Sequence, residues 1–150
     1  MPRHQTGNVS FEVPRHWEDK TIVAFSAPSR PGQSTAASFV MTRDTLADSD
    51  TLASYADRQL TELAQRLDAF ELVDKRETTV SGAKAIAMRF TSKALPGPLL
   101  QRLIVVEDRR RAVVCFTATA PKADAAQLEP LFDRMVAGIR FETPQPEDTP

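Results

Sequence analysis

Cysteine and histidine are scarce in this 150-residue chain. Cys115 is the single thiol, and the two histidines are His4 and His16. One cysteine cannot form a disulfide within the chain, and Cys115 lies in an apolar stretch, so we expect a buried, inert thiol and a reducing compartment. No pair of these residues has the spacing of a metal site, so the sequence predicts no bound metal.

Long apolar runs and an excess of one charge are also missing. No stretch reaches the roughly 18 apolar residues of a membrane helix, and the first eight residues carry no apolar segment of a secretory signal. The formal net charge of −1 gives no general attraction to nucleic acid or to an anionic membrane. We therefore expect a soluble, cytoplasmic protein that neither enters membranes nor binds nucleic acid. The run of arginines at 109–111 is interpreted as a solvated turn.

Known catalytic and phosphate-binding motifs are absent from the sequence. It contains no G-x-G-x-x-G, no P-loop and no G-x-S-x-G, and its carboxylates are scattered over positions that we expect to be exposed. A catalytic dyad of His16 with Cys115 or Ser10 is supported only by the residue types. Trp17 is interpreted as a residue that packs at a corner of the fold. We expect no catalytic residue and no cofactor.

The patterns that are present predict one α+β domain. Apolar alternation predicts strands, and two apolar stripes at helical spacing predict helices, the first preceded by capping residues at 48–51. The predicted strands cover 8–13, 20–27, 36–44, 70–80, 83–92, 99–107 and 111–120, and the helices cover about 51–68 and 124–139. The domain is placed at residues 8–142, with flexible termini at 1–7 and 143–150.

The strands at 99–107 and 111–120 are apolar on both faces in part. An antiparallel strand with one solvated face alternates cleanly between apolar and polar residues. We therefore expect their second face to be covered by a loop, another subunit or a ligand, and we predict a stable homodimer.

Two glutamines stand beside apolar stripes. Gln59 borders the stripe of the first helix, and Gln101 shares a predicted strand face with Leu103 and Val105. An amide among apolar neighbours can both donate and accept hydrogen bonds in a mostly dry groove. The alternative, that both side chains are exposed and idle, stays open at this point.

The opening Phe11-x-Val-Pro-x-x-Trp-x-Asp carries a resemblance to a known family. Together with Leu52-Ala-Ser-Tyr-Ala-Asp-Arg-Gln-Leu, Val80-x-Gly-x-x-Ala and Leu100-Gln-x-Leu-Ile-Val, it resembles the Eag-type, effector-associated chaperones of the type VI secretion system. These belong to the DcrB/PsbP-like proteins. The resemblance covers about residues 8–141. It implies a curved antiparallel sheet of about six to seven strands packed with two main helices.

The resemblance also implies a function. Members of the family are homodimers that bind the N-terminal transmembrane helices of a type VI effector and shield them from water before export. Carried over residue by residue, the groove for the effector helix is expected at Ile22, Ala24, Gln59, Leu63, Leu67, Gln101 and Leu103. Two alternatives remain: a DcrB/PsbP-like module that binds a folded protein partner through its sheet, and a small-molecule-binding or enzymatic domain.

Overall fold

A computed structural model describes residues 1–28, 36–94 and 97–141 of the chain. Eight strands and two α-helices are formed within these ranges, which confirms the expected α+β fold. In chain order they are β1 Arg3–Thr6, β2 Val9–Glu12, β3 Ile22–Ser26, β4 Ser38–Thr45, α1 Leu52–Arg66, β5 Asp68–Val80, β6 Ala83–Lys93, β7 Pro98–Glu107, β8 Ala112–Pro121 and α2 Ala125–Ala137.

Six of the strands form one antiparallel sheet in the order β3-β4-β8-β7-β6-β5. The tight turn between β5 and β6 is the one that the sequence predicts at Ser81 and Gly82. Both residues have positive φ, 51° and 81°, as a type I′ hairpin turn requires. The long strands β5 to β8 follow one another as hairpins, so most of the sheet is built from neighbours in sequence.

Helix α1 covers one face of the sheet. It begins at the N-cap Thr51, whose side chain accepts a hydrogen bond from the backbone N–H of Ser54, while the Ser54 side chain accepts one from the backbone N–H of Thr51. Its apolar stripe then packs over β5, β6 and β7. The core cluster on this face includes Leu52, Tyr55, Ala56, Ile86, Met88, Phe90, Leu103 and Val105.

Helix α2 covers the opposite face. Its Phe132 is buried against Ala118 and Ala120 of β8, and Val136 packs on the cluster that holds Ile104 and Phe116. The second apolar face of β7 and β8 is therefore covered by α2. The expectation that a loop, another subunit or a ligand would cover it is wrong, because α2 packs on that face.

The N-terminal segment differs from the sequence expectation. Arg3–Thr6 forms β1 and pairs with β2, in a segment assigned to a flexible terminus. The two strands make a separate two-stranded sheet, joined through Gly7, which has a φ of 56°. The C-terminal segment 143–150, most of the predicted loop after Ala27, and residues 95–96 lie outside the described residues.

Neither α-helix in the described ranges is long and apolar enough to cross a membrane. The expected turn at the arginine run is present as a single 3-10 turn, Arg109–Arg111. There Arg111 donates hydrogen bonds to the backbone carbonyls of Ala47 and Asp50. The run thus closes the hairpin and holds the loop that precedes α1.

Candidate functional site

A cavity of about 290 Å³ lies beside α1, where the helix stops covering the sheet. We call it the trough. Helix α1 forms its wall, and strands β4, β7 and β8 form its floor. Its lining residues are Thr42, Arg43, Asp44, Tyr55, Gln59, Leu63, Arg66, Phe90, Gln101, Leu103, Cys115 and Thr117.

The wall is one stripe of α1. Tyr55, Gln59 and Leu63 follow one another at intervals of four residues, so they lie one above the other on the same helical face. Tyr55 is buried, Gln59 and Leu63 are half-buried, and Arg66 is exposed at the end of the helix. The wall therefore passes from a buried phenol through an amide and an aliphatic side chain to a charge.

The floor follows from strand register. Thr42 pairs with Cys115, and Thr117 pairs with Leu103, so these side chains project to the same face. The same lines of paired residues reach β3, where Ile22 pairs with Thr42 and Ala24 with Val40. The floor thus continues from the wall to the edge of the sheet, and α1 leaves its β3 half open.

One end of the trough is a polar cluster. The Tyr55 hydroxyl donates a 3.0 Å hydrogen bond to the Asp44 carboxylate and lies 3.6 Å from Cys115 Sγ. Lys20 Nζ donates to the other oxygen of Asp44 at 3.3 Å. This cluster joins the N-terminal segment, strand β4 and the wall of the trough.

Burial and hydrogen bonding set the ionisation of this cluster. Burial raises the pKa of the Cys115 thiol and, together with the contacts to Cys115 and Asp44, that of the Tyr55 hydroxyl. Burial acts in the same direction on Asp44, but hydrogen bonds from the backbone N–H of Thr45, from Tyr55 and from Lys20 outweigh it and lower the pKa of this carboxyl. At neutral pH the thiol and phenol are neutral and Asp44 is charged, a set suited to structure rather than to nucleophilic attack.

Comparison with known proteins identifies the family. The profile of the DcrB family matches residues 9–138, almost the whole domain. The chain belongs to the DcrB family. The family assignment confirms the DcrB/PsbP-like resemblance that the sequence motifs carry.

A curated protein and a solved structure, both from Pseudomonas aeruginosa, match this DcrB-family chain over nearly its full length. Effector EagT6, from strain PAO1, is 28% identical over 150 residues, which are 100% of this chain and 99% of that protein. The crystal structure of PA94, a protein of unknown function, superposes with a TM-score of 0.79 and 26% identity over 96% of this chain and 99% of that one.

Two more distant structures share the fold. LpqN, a Mycobacterium tuberculosis protein involved in cell envelope biogenesis, has a TM-score of 0.56 at 14% identity, covering 81% of this chain and 84% of that one. The cyanobacterial PsbP of Synechocystis sp. PCC 6803 has a TM-score of 0.51 at 12% identity, covering 85% and 82%. Neither DcrB membership nor the similarity to Effector EagT6 suggests catalysis.

In this DcrB-family chain, the seven residues expected at the groove lie on the α1 side of the sheet. Gln59, Leu63, Gln101 and Leu103 line the trough itself. Leu67, just after α1, packs against the core cluster beneath the helix. The remaining two lie on the open edge strand β3, which is exposed throughout, on the same face as the floor; they are Ile22 and Ala24.

Leu103 has a second role that its sequence pattern does not reveal. Its side chain is 6% exposed and belongs to the core cluster under α1. A carboxylate at this position would be buried inside the protein itself, so Leu103→Asp would disrupt the fold and could not isolate an effect on binding.

Sequence reasoning missed several lining residues, above all Tyr55, Phe90, Thr42 and Thr117. Tyr55 carried a signal, because it lies four residues before Gln59 on the same helical stripe. The others carried none, because Thr42, Thr117 and Phe90 come to line one cavity only through the pairing of β4 with β8, of β8 with β7 and of β7 with β6. The register between strands that are not consecutive in the chain cannot be derived from the sequence of one strand.

Trp17 does not pack at a corner, and that expectation is wrong. Its side chain is 65% exposed. It lines a second cavity, of about 330 Å³, with Phe11, Pro14 and other residues of the N-terminal segment. Of the large apolar side chains that are exposed among the described residues, most lie in the first 25 positions: Met1, Val9, Phe11, Trp17, Ile22, Val23 and Phe25.

The face opposite the trough is charged where α2 leaves it open. Arg89 bonds Glu129 of α2 at 2.6 Å and Asp74 of β5 at 2.9 Å, and Arg102 bonds Asp133 of α2 at 2.7 Å. These paired charges fasten α2 to the sheet. Across the part of the chain that the structure describes, no cluster of three or more His, Cys, Asp or Glu side chains could hold a metal ion.

Proposed function

We propose that this chain is a cytoplasmic chaperone that holds the N-terminal transmembrane helices of a type VI secretion effector until export. The observation that carries the proposal is the trough, a lined cavity on a sheet face that its own helix covers by half. The motif resemblance to Eag-type chaperones and the similarity to Effector EagT6 indicate what kind of partner would occupy it.

The dimensions of the trough suit one helix. The 15 residues of α1 make a wall about 22 Å long. The sheet face that continues from the trough over β8, β4 and β3 is about 10–14 Å wide at the usual strand spacing. An α-helix with its side chains is about 10–12 Å across. A helix lying beside α1 would therefore complete the second half of the layer.

The chemistry of the trough suits an apolar helix that carries few polar groups. Leu63, Leu103 and Phe90 supply apolar surface, and burying apolar surface stabilises a complex by roughly 25 cal/mol per Å². Gln59 on the wall and Gln101 on the floor offer amides from two sides. This arrangement matches the recognition of an apolar helix in a groove.

We further propose that the chaperone is a homodimer that forms through the N-terminal part of the chain. Strand β3 is an edge strand, and Ile22 and Phe25 on its two faces are 68% and 69% exposed. The other edge strand, β5, is interrupted by two register shifts and carries charges at 74–77, devices that prevent edge pairing. A second copy would both pair the β3 edge and cover the exposed apolar side chains.

Capture of an effector fragment tests the chaperone proposal. The chain is co-expressed with the N-terminal apolar fragment of a candidate type VI effector and purified through a tag. We expect Gln59→Ala and Gln101→Ala each to weaken capture about 5- to 150-fold, since a lost hydrogen bond to a buried group costs about 1–3 kcal/mol. Gln65→Ala, on the exposed side of α1, is the matched control. Wild-type capture by both trough variants would rule the trough out.

A charge on the open floor gives a stronger test. Val40 is half-buried and lies on the trough face of β4, paired with Thr117. Val40→Asp should abolish capture, because a bound helix would bury an unpaired carboxylate. A thermal melt of the free variant checks that the fold is retained. Undiminished capture by a folded Val40→Asp variant would show that the effector fragment binds through another surface of the chain.

Light scattering during size-exclusion chromatography tests the dimer. We expect a mass twice the 16.6 kDa of one chain at micromolar concentration. Phe25→Lys should give monomers, because a lysine on an edge strand opposes pairing. Val73→Lys, on the β5 edge, should leave the mass unchanged. A wild-type monomer would contradict the dimer without touching the chaperone proposal.

A further inference from the structure

A line of polar side chains crosses the trough face of the sheet. Ser26 of β3 pairs with Ser38 of β4, Ser38 with Thr119 of β8, and Thr119 with Gln101 of β7. Directly paired residues project to the same face, so the four side chains lie side by side over four neighbouring strands. We call Ser26, Ser38, Thr119 and Gln101 the polar row. Its next member under α1 is Phe90.

The neighbouring rows on this face are more apolar. The row two residues along each strand consists of Ala24, Val40, Thr117 and Leu103, and the next consists of Ile22, Thr42, Cys115 and Val105. Each contains one hydroxyl, whereas the polar row is polar at all four positions. Rows are about 6.8 Å apart, twice the rise per residue of a strand. The polar row is therefore a narrow level on a floor that is otherwise mostly apolar.

The polar row keeps hydrogen-bonding capacity for an occupant. Gln101 Nε2 donates to Thr119 Oγ1 at 3.0 Å, which leaves the Thr119 hydroxyl proton free to donate and Gln101 Oε1 free to accept. Ser38, Thr119 and Gln101 are half-buried. A wholly apolar helix laid over them would strip their water and leave them unpaired, whereas one polar side chain at this level would satisfy them.

A helix lying along the wall would meet the polar row once. Tyr55, early in α1, contacts Cys115, and Phe70, which follows α1, packs against Phe90 with ring centroids 5.1 Å apart and ring planes tilted by 38°. Since Cys115 lies two rows away from the level of Phe90, the wall runs along the strands and across the rows. An occupant parallel to the wall would therefore place one turn at the polar row.

We infer that the polar row fixes the axial register of the helix in the trough, by receiving a single Ser, Thr, Asn or Gln side chain within an otherwise apolar helix. The inference rests on the proposed function and specifies which kind of helix the trough would prefer. A buried polar side chain fixes the register of coiled-coil helices in the same manner, at some cost in affinity. Ser, Thr, Asn and Gln also form the hydrogen bonds between helices inside membranes.

A scan with synthetic helices tests the inference. The probes are labelled Leu/Ala peptides of about 20 residues with flanking lysines, one fully apolar and the others with one asparagine moved along the sequence. Fluorescence anisotropy gives the affinity of each for the full chain. We expect one position to bind about 3- to 15-fold more tightly than the apolar parent, the range of interhelical hydrogen bonds in membrane proteins.

Two variants test whether the affinity maximum in the peptide scan arises from the polar row. A double variant, Ser38→Ala with Thr119→Val, should flatten the scan and tighten binding of the apolar parent. Thr79→Val, at an exposed position on β5, is the matched control and should keep the maximum. Thermal melts check that each variant is folded.

The outcomes distinguish the register role of the polar row from the chaperone function of the chain. If all peptides bind with equal affinity, or if the maximum survives in the double variant, the register role is overturned and the chaperone proposal stands. If no peptide binds to the folded chain, both are overturned. A maximum that the double variant removes supports both.

Discussion

Ile86 and Ile22 lie on the same line of paired residues across one face of the sheet, yet their surroundings are opposite. The line runs from Ile86 through Val105, Cys115 and Thr42 to Ile22. Ile86, beneath α1, is 4% exposed, whereas Ile22, on the open side of the trough, is 68% exposed. The same residue type on the same face thus belongs to a core at one end and to a surface at the other, because α1 covers one half of the sheet.

The comparison shows how a helix that covers only half of a sheet face leaves the other half available to a partner. The covered half is filled by apolar side chains and is closed to partners. The open half keeps an apolar side chain at Val40 but adds the hydroxyls of Thr42 and Thr117, and all three side chains are half-buried. A partner helix would therefore have to supply both apolar surface and a few hydrogen bonds.

The largest expected effect comes from truncating the two isoleucines. Ile86→Ala should lower the free energy of unfolding by about 2–5 kcal/mol, because it leaves a cavity in the core. Ile22→Ala should change it by less than about 0.5 kcal/mol in the monomer, because its side chain is 68% exposed among the described residues. Urea unfolding at low protein concentration measures both. Equal losses would show that Ile22 is covered in solution and would break the comparison.

Thiol labelling should give a clear but smaller contrast. Cys115 is buried and its pKa is raised by burial, so we expect slow reaction with a disulfide reagent in the folded protein. Thr117→Cys in a Cys115→Ala background places a thiol on the trough floor, where it should react at least about tenfold faster. A bound effector fragment should then slow that reaction. Equal rates for the two thiols would show that the floor is closed in the free chain.

The smallest expected effect concerns Asp44, where the N-terminal segment, β4 and α1 meet. Because its pKa is lowered in the folded chain, its carboxylate contributes stability that is present above the ordinary pKa of about 4 and is lost as the pH falls through the folded value. Asp44→Asn should lower stability at pH 7 by less than about 1 kcal/mol, because the group is partly exposed and screened.

The pH dependence of this difference is the measurement that matters. Melting temperatures of wild type and Asp44→Asn should differ at pH 7 and converge below about pH 4. Asp48→Asn, in the exposed turn before α1, is the control and should follow the wild type. A difference that grows as the pH falls would contradict the role assigned to the carboxylate.

Much of the fold is readable from the sequence, since its signals are local. The capping residues before Leu52, the helical stripe that follows and the Ser81-Gly82 turn each act within a few residues, and all three are present in the structure. The strand β1 was missed because Arg3–Thr6 has no apolar alternation and is held by pairing with β2. The element that packs on the second face of β7 and β8 was predicted wrongly, because the sequence of a strand does not indicate which element covers it.

The candidate site is less predictable from the sequence than the fold, because it depends on residues that lie far apart in the sequence. Gln59 and Leu63 could be placed on one helical stripe, and Gln101 and Leu103 on one strand face, from period alone. Their meeting at the trough, and the neighbours Thr42, Phe90 and Thr117, depend on pairing between strands far apart in sequence. The exposure of Trp17 likewise depends on where the N-terminal strands pack.

By itself, the sequence determined the α+β class, the approximate positions of both helices and of every strand except β1, the lack of metal and disulfide spacings, and the motifs of a family, because each depends on local spacing and composition. Tertiary structure decided which half of each sheet face is covered, that Leu103 is a core residue, and that Ser26, Ser38, Thr119 and Gln101 form one row. Burial and alignment are properties of pairs of elements. The strand order β3-β4-β8-β7-β6-β5, which brings distant segments together, has no counterpart in any single segment.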